Sequence, residues 1–357
     1  FEQIAPGYYH RMRPDGSFWN GSGTGNEVRS EAPMARQFIL DSCRYWLEEY
    51  GVDGYRFDLM GLIDLETMKM VEEMAKEVTP SALVYGEPWT GGATPLDPIT
   101  DKDQVSGTQL GAFNDNFRNA IKGDSRGPGP GFIQNASRRD AILLGSAGSI
   151  DDWAAHPNNP LNYASAHDDL TLWDKLLEST PNAAHEDRVA MQNLAFGILS
   201  VSQGGLFMHG GVEMLRTKQG VENSYNSDDS INAIHWEWKK ENAASVEFHQ
   251  DMIALRRAHP VFRLKTPEEI KERLVFHEDD RPHASTIMFT LDSEGVEGEP
   301  WKEVGVYINP TPKEQTFPNK IDGGQVYVRK MEASNEALAP AGEKLTVAPR
   351  SLMVVAR

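Results

Sequence analysis

Two short stretches built alike, Tyr55-Arg56-Phe57-Asp58 and Val84-Tyr85-Gly86-Glu87, end on carboxylates 29 residues apart (87 minus 58), and this spacing restricts the fold more than any other feature. Between them Leu65, Met68, Val71, Met74, Ala75 and Val78 recur at three-to-four spacing, and Pro80 ends the pattern. The segment therefore reads strand, helix, strand, at the length of a βαβ unit. The Met-rich helix face is most simply core. Asp58 and Glu87 stand at the carboxyl ends of their strands, where parallel α/β sheets and barrels place their chemistry. Arg56 and Asp58, two residues apart, share one strand face. Charged groups are seldom buried unless paired or used, so these residues alone fit a buried ion pair and a catalytic role equally well.

The remaining chain extends the alternation. Residues 1–30, rich in Gly and aromatic residues, read as a long ordered loop. Ser30 is the expected N-cap of an amphipathic helix on which Met34, Phe38, Trp46 and Tyr50 recur up to Gly51. Residues 90–112 and 123–163 read as elaborated loops flanking a short helix over Phe117–Lys122. A strand is predicted at Tyr163–Ala166, ending in His167-Asp168-Asp169. It is followed by a helix at Asp187–Ser202, a strand at Gly204–Met208 and a helix at Ala243–Ala258. From about Thr266 the texture changes to short β-rich runs at Thr286–Leu291, Val304–Asn309, Gln325–Val328 and Leu352–Ala356, the pattern of an antiparallel β-sandwich. The boundary falls between about Val261 and Glu272, giving domains 1–265 and 266–357.

Charge narrows the partners. A net charge of −18 argues against nucleic acid and anionic membranes, and a neutral substrate fits better. No run of 18 apolar residues is present to span a membrane. The lone Cys43 rules out an internal disulfide and a cysteine-ligated zinc site but leaves the compartment open. The chain opens at Phe1 in mid-loop, and the natural start is expected upstream.

Three carboxylates, Asp58, Glu87 and Asp168, thus occupy predicted strand ends, with Arg56 and His167 beside them. Cleavage of an acetal needs an acid for the leaving oxygen and a carboxylate facing the anomeric carbon, about 5–5.5 Å apart in retaining enzymes. Metal sites and salt bridges use the same residue types, so one pair alone is weak evidence; three in register weigh more.

Gly54-Tyr55-Arg56-Phe57-Asp58, Tyr85-Gly86-Glu87-Pro88-Trp89 and Ser165-Ala166-His167-Asp168 resemble the second, third and fourth conserved regions of the alpha-amylase superfamily of glycoside hydrolases. Tyr85–Gly92, Phe113–Gly123, His167–Leu176 and Phe207–Asn232 resemble type I pullulanases more narrowly. The resemblance implies a (β/α)8 TIM barrel, here partial with strands resembling the fourth to eighth, followed by the C-terminal β-sandwich. It implies hydrolysis of α-1,6-glucosidic branch linkages in pullulan, amylopectin and limit dextrins. Asp58 is then the nucleophile, held by Arg56; Glu87 is the general acid and base, a role that needs a raised pKa; Asp168 stabilises the distorted sugar, assisted by His167. Trp89 is a stacking platform, and Asn226 and Asp229 line an acceptor subsite. Plainer readings are a core histidine for His167, a core aromatic for Trp89, and surface acid for Asp169, Asp228 and Asp151-Asp152. Asp115 and Arg118 are expected to pair structurally. No cofactor is required. Calcium is a family-level option at Asp169, Asp228 or Asp151-Asp152, without EF-hand spacing.

The chain also departs from the family. The first conserved region, Asp-x-x-x-Asn-His, and the Tyr-Asn-Trp-Gly-Tyr signature are absent, and His167-Asp168-Asp169 replaces the frequent His-Asp-Asn. The missing N-terminal part of the same polypeptide is therefore an expected partner, beside the branched α-glucan. An isoamylase-like or other α-glucan hydrolase, a non-catalytic glucan-binding protein and an inactive truncated fragment remain the alternatives.

Overall fold

The computed structural model describes residues 1–357, which divide into two compact units, 1–113 with 150–161 and 114–149 with 162–357.

In the first unit, residues 1–32 form turns tied by two isolated bridges, His10 to Val28 and Met12 to Phe18. Helix α1 (Pro33–Tyr50) follows, with Ala32 as N-cap and no side-chain cap. Ser30, the predicted cap, is used elsewhere: its Oγ accepts from the Asp64 N–H at 2.9 Å and from Arg11 Nη2 at 3.2 Å. The α1 stripe also needs correction. Met34, Phe38, Trp46 and Tyr50 are exposed, at 55, 55, 47 and 60%, and the helix buries Ala35, Cys43 and Leu47. Helical spacing says which residues share a face, not which face meets the core.

Strand β1 (Gly54–Phe57), helix α2 (Leu65–Val78) and strand β2 (Leu83–Gly86) form the expected βαβ unit. The Asp64 side chain caps α2 by accepting from the Thr67 N–H, and Met68, Val71, Met74 and Ala75 are buried in the core with Cys43, Leu47, Val84 and Ala112. After helix α3 (Lys102–Val105), strands β3 (Gly111–Phe113) and β4 (Pro160–Asn162) extend a parallel ladder in the order β1-β2-β3-β4, with β1 at its edge. Both added strands lie in stretches read as loops, because three residues are too few to display an alternation. The strand predicted at Tyr163–Ala166 is β4, three residues earlier, so His167 and Asp168 stand on irregular backbone and not at a strand end.

The second unit carries helices α4 (Asp115–Lys122), α5 (Phe132–Asn135), α6 (Arg139–Ser146), α7 (Leu172–Ser179) and α8 (His185–Val201), and the short strand β5 (Gly205–Leu206). Helices α9 (Asp229–Asn232), α10 (Trp238–Glu241), α11 (Ala243–Ala258) and α12 (Pro267–Arg273) follow. A seven-stranded antiparallel sheet is then built from β6 (Leu274–Phe276), β7 (Ile287–Asp292), β8 (Glu303–Asn309), β10 (Gln325–Arg329), β11 (Glu332–Ala333), β12 (Ala339–Pro340) and β14 (Ser351–Ala356). Strands β9 (Gln315–Pro318) and β13 (Lys344–Val347) pair separately. They contribute Phe317, Leu345 and Val347 to one apolar cluster with Met288, Tyr307 and Met353 of the larger sheet. Helix α8 reaches this sheet through Gly197, where a Cβ would fall 2.1 Å from Leu352 Cδ2. No helix is long and apolar enough to cross a membrane.

Candidate active site

The 29-residue repeat turns out to be the pairing register: Gly54 lies opposite Leu83, Arg56 opposite Tyr85 and Phe57 opposite Gly86. One step further, Asp58 and Glu87 lie abreast beyond the strand ends, with the Glu87 N–H still donating to Phe57 O at 3.0 Å. Two adjacent parallel strands thus deliver two carboxylates to one place. The Asp58 side chain is 63% exposed, while that of Glu87 is 5% exposed. Arg56 serves both, Nη1 donating to Asp58 Oδ1 and Nη2 to Glu87 Oε1. From the sequence only the Asp58 contact was expected. A guanidinium fork can hold two carboxylates in fixed orientation, which a lysine cannot.

Leu59 belongs to this site although its side chain offers no chemistry. Its backbone is left-handed, with φ of +46°, and its N–H donates to Glu87 Oε2 at 2.7 Å. A non-glycine residue in that region is strained, and here the strain aims an amide at a buried carboxylate. Trp89 is half-buried, and its carbonyl accepts from the Gly61 N–H at 3.2 Å. Only glycine fits at 61, since a Cβ would lie 2.5 Å from Trp89 O. A cavity of about 430 Å³ opens in the same unit, lined by Val28, Phe38, Ile39, Asp58, Leu59 and Leu62 among others.

In the second unit, His167 and Asp168 are exposed on a turn, with His167 Nε2 at 3.6 Å from Asp168 Oδ1. Asp169 adopts φ of +60°, a conformation that Asp and Asn tolerate better than other side chains. Its Oδ1 accepts from Arg126 Nε at 2.7 Å. Burial pushes the Asp169 carboxyl up, but the Arg126 hydrogen bond and the charges of Arg126, Lys122 and Arg118 outweigh it and hold the group below the usual carboxylate range. The added negative charge at this position is therefore met by nearby cations.

His209 supports this segment and carried no role in the sequence reading, although it lies within the Phe207–Asn232 stretch. Arg216 Nη1 approaches its Nε2 at 3.3 Å, and because Arg only donates, Nε2 accepts and the ring proton resides on Nδ1, 3.2 Å from Ser165 Oγ. Burial, then the charges of Arg216 and Lys218, push its pKa down to about 3. Arg118 Nη1 donates to the Tyr163 hydroxyl at 2.8 Å. Asn226 and Asp229 are exposed, Asp229 in the first turn of α9. Of the acids considered for calcium, Asp228 accepts from the Ser230 N–H and hydroxyl, and Asp169 is held by Arg126.

The chain is similar to known proteins along its length. Residues 233–356 match the family of pullulanase-type alpha-1,6-glucosidases, C-terminal. The pullulanase of Bacillus subtilis (strain 168) is 38% identical over 335 residues, covering 90% of this chain and 46% of that protein. The structure of a pullulanase from Bacillus acidopullulyticus superposes with a TM-score of 0.96 at 38% identity, covering 100% of this chain and 44% of that one. A pullulanase from Anoxybacillus sp. LM18-11 complexed with maltotriose gives 0.92 at 34% identity, covering 100% and 50%. The chain is thus a homologue of glycoside hydrolases. More narrowly, it is homologous to pullulanases, with a pullulanase-type C-terminal domain, and it spans about half the length of the relatives it matches.

Proposed function

We propose that these residues belong to a retaining α-1,6-glucosidase that debranches pullulan, amylopectin and limit dextrins. The observation that carries the proposal is the Asp58–Arg56–Glu87 constellation, two carboxylates abreast on adjacent parallel strands and bridged by one guanidinium, in a chain homologous to pullulanases. Asp58 attacks the anomeric carbon while Glu87 gives its proton to the departing O6, so one C–O bond forms as the other breaks. Glu87 then takes a proton from water, the water oxygen attacks the anomeric carbon, and the Asp58 ester is released with the α configuration restored. Asp168, with His167, stabilises the oxocarbenium-like sugar. Trp89 stacks on a glucose ring, and Asn226 and Asp229 line an acceptor subsite. No cofactor is needed for these steps.

The parallel strands serve as the later strands of a (β/α)8 barrel, and the antiparallel strands form a C-terminal β-sandwich, with the division near residue 265. The open edge of β1, the exposed stripe on α1 and the cavity beside Asp58 suit the preceding part of the polypeptide as partner.

The test is hydrolysis of pullulan to maltotriose by the complete polypeptide. Asp58→Asn and Glu87→Gln are each expected to lower kcat at least about 10³-fold in folded protein, and the first-formed reducing end should be the α anomer by NMR. An unchanged rate in either variant rejects the site; a β product rejects retention; glucan binding without hydrolysis favours a binding protein.

A further inference from the structure

Lysine is almost never fully buried without a partner, yet the second unit buries three, with Lys122, Lys175 and Lys218 at 1, 0 and 1% exposure. Two of them act on the same four residues. Lys218 Nζ donates to His167 O at 2.9 Å, and Lys122 Nζ donates to Leu170 O at 3.2 Å. The ammonium groups therefore hold the two ends of the turn whose middle residues are Asp168 and the left-handed Asp169. Lys175 has a different job, donating to Gly127 O.

The clamp is itself anchored. Asp174, 3% exposed, accepts from the Lys218 N–H at 2.7 Å and from the Thr217 hydroxyl, and its own N–H donates to Thr171 Oγ1, the N-cap of α7. Lys218 is thus tied by its backbone to the helix that follows the turn, and by its side chain to the start of the turn. Lys122 lies at the end of α4, so two separate elements meet on one segment that is exposed at His167 and Asp168 and buried at Leu170.

We infer that Lys122 and Lys218 are positioning residues for the reaction, pinning the carbonyls of Leu170 and His167 so that the turn between them projects the Asp168 carboxylate in one fixed place. This rests on the reading of Asp168 as the third carboxylate. Burial and the surrounding charges act on the two amines to different extents. Burial lowers the Lys218 pKa from the ordinary lysine value, opposed by Asp168, Asp174 and Asp169 and reinforced by Arg216. Burial, then Arg118, pushes Lys122 down to about 7; Asp169 opposes, while Lys175 and Lys218 add to the fall.

The experiment is a mutant cycle in the complete polypeptide. Lys218→Met and Lys122→Met are expected to lower kcat on pullulan about 10–100-fold, as a displacement near 1 Å does, with KM changed less than about twofold. Lys218→Arg should recover to within about fivefold of the unsubstituted enzyme, since its guanidinium can still reach the carbonyl. In an Asp168→Asn background, Lys218→Met should change the residual rate less than about twofold. An equal loss in both backgrounds, or no loss in folded Lys218→Met, overturns the inference. If a methionine variant does not fold, Lys218→Arg carries the cycle, and its loss must vanish in the Asp168→Asn background. If the unsubstituted polypeptide does not hydrolyse pullulan, the function proposed above fails, and amide exchange over residues 167–170 decides the clamp. Exchange at least about tenfold faster in Lys122→Met or Lys218→Met supports it; unchanged exchange in both rejects it.

Discussion

The two units fix their acidic groups by opposite means. In the first, backbone does the work: the parallel register sets Asp58 beside Glu87, and a left-handed Leu59 turns its amide onto the buried carboxylate. Arg56 then couples the pair from within the strand. In the second, the backbone has left its strand five residues before His167, and cations from neighbouring elements hold the turn: Lys218, Lys122 and Arg126. A ladder can place a side chain because its hydrogen bonds repeat at fixed spacing. A turn without a ladder needs donors from elsewhere, and charged donors are the stronger ones. The two solutions therefore fail differently when single residues are changed.

Among the residues that hold the acids, the largest effect is expected at Arg56, where one side chain touches both. Arg56→Met should reduce pullulan turnover about 10²–10³-fold in folded complete polypeptide, on the order of removing a preorganised charged donor. Because Arg56 meets Glu87 as well as Asp58, its loss should be far from additive with Glu87→Gln. Steady-state kinetics on the four members of that cycle check this. Strict additivity would mean that the Glu87 contact has no catalytic consequence, and the first site would then resemble the second in depending on separate supports.

These two solutions were unequally legible. The 29-residue spacing of Asp58 and Glu87 carried over into register because a βαβ unit leaves two periodicities and a breaker in the sequence. The double use of Arg56 left no trace, since residue type says that a charge needs partners but not how many. Strand β3 was hidden by its three-residue length, and β4, starting three residues before the predicted strand, moves His167 and Asp168 from a strand end to a turn. The lysine clamp was the least visible of all. Its acceptors are backbone carbonyls, which every residue possesses, and Lys122 and Lys218 look like surface residues until their burial is known. The exposed stripe of α1 shows the converse case, an apolar pattern read correctly as helical whose side toward the core could not be read.

A packing change away from both sites should separate stability from placement. Gly197→Val puts new atoms into Leu352 of β14 and is expected to destabilise the second unit by about 1–3 kcal/mol. The expected denaturation profile is a lower midpoint at unchanged slope, with kcat at 25 °C within about twofold of the original. A large fall in kcat would show that the turn at His167–Leu170 depends on general packing as much as on its lysines.

The smallest effect concerns acid, and it should fall on the second unit. Burial pushes His209 down to about 3, assisted by Arg216 and Lys218, and pushes His249 down to about 4 against the backbone hydrogen bond to Ser245. Both folded values lie below the ordinary histidine value near 6.5, so between 6.5 and the folded values the unfolded chain binds more protons. Stability is then fully present above about pH 6.5 and is lost as the pH falls toward 4 and then 3. Carboxylates such as Asp169, held below their usual range, contribute mainly at lower pH and leave the interval from 6.5 to 4 to the histidines. The thermal midpoint should decline steadily across that interval. His209→Gln, which keeps a neutral hydrogen-bonding side chain, should flatten the decline while lowering the neutral-pH midpoint slightly. An unchanged acid slope would mean that His209 accepts a proton without disturbing Ser165, and the support behind the second carboxylate turn would then rest on Lys122, Lys218 and Arg126 alone.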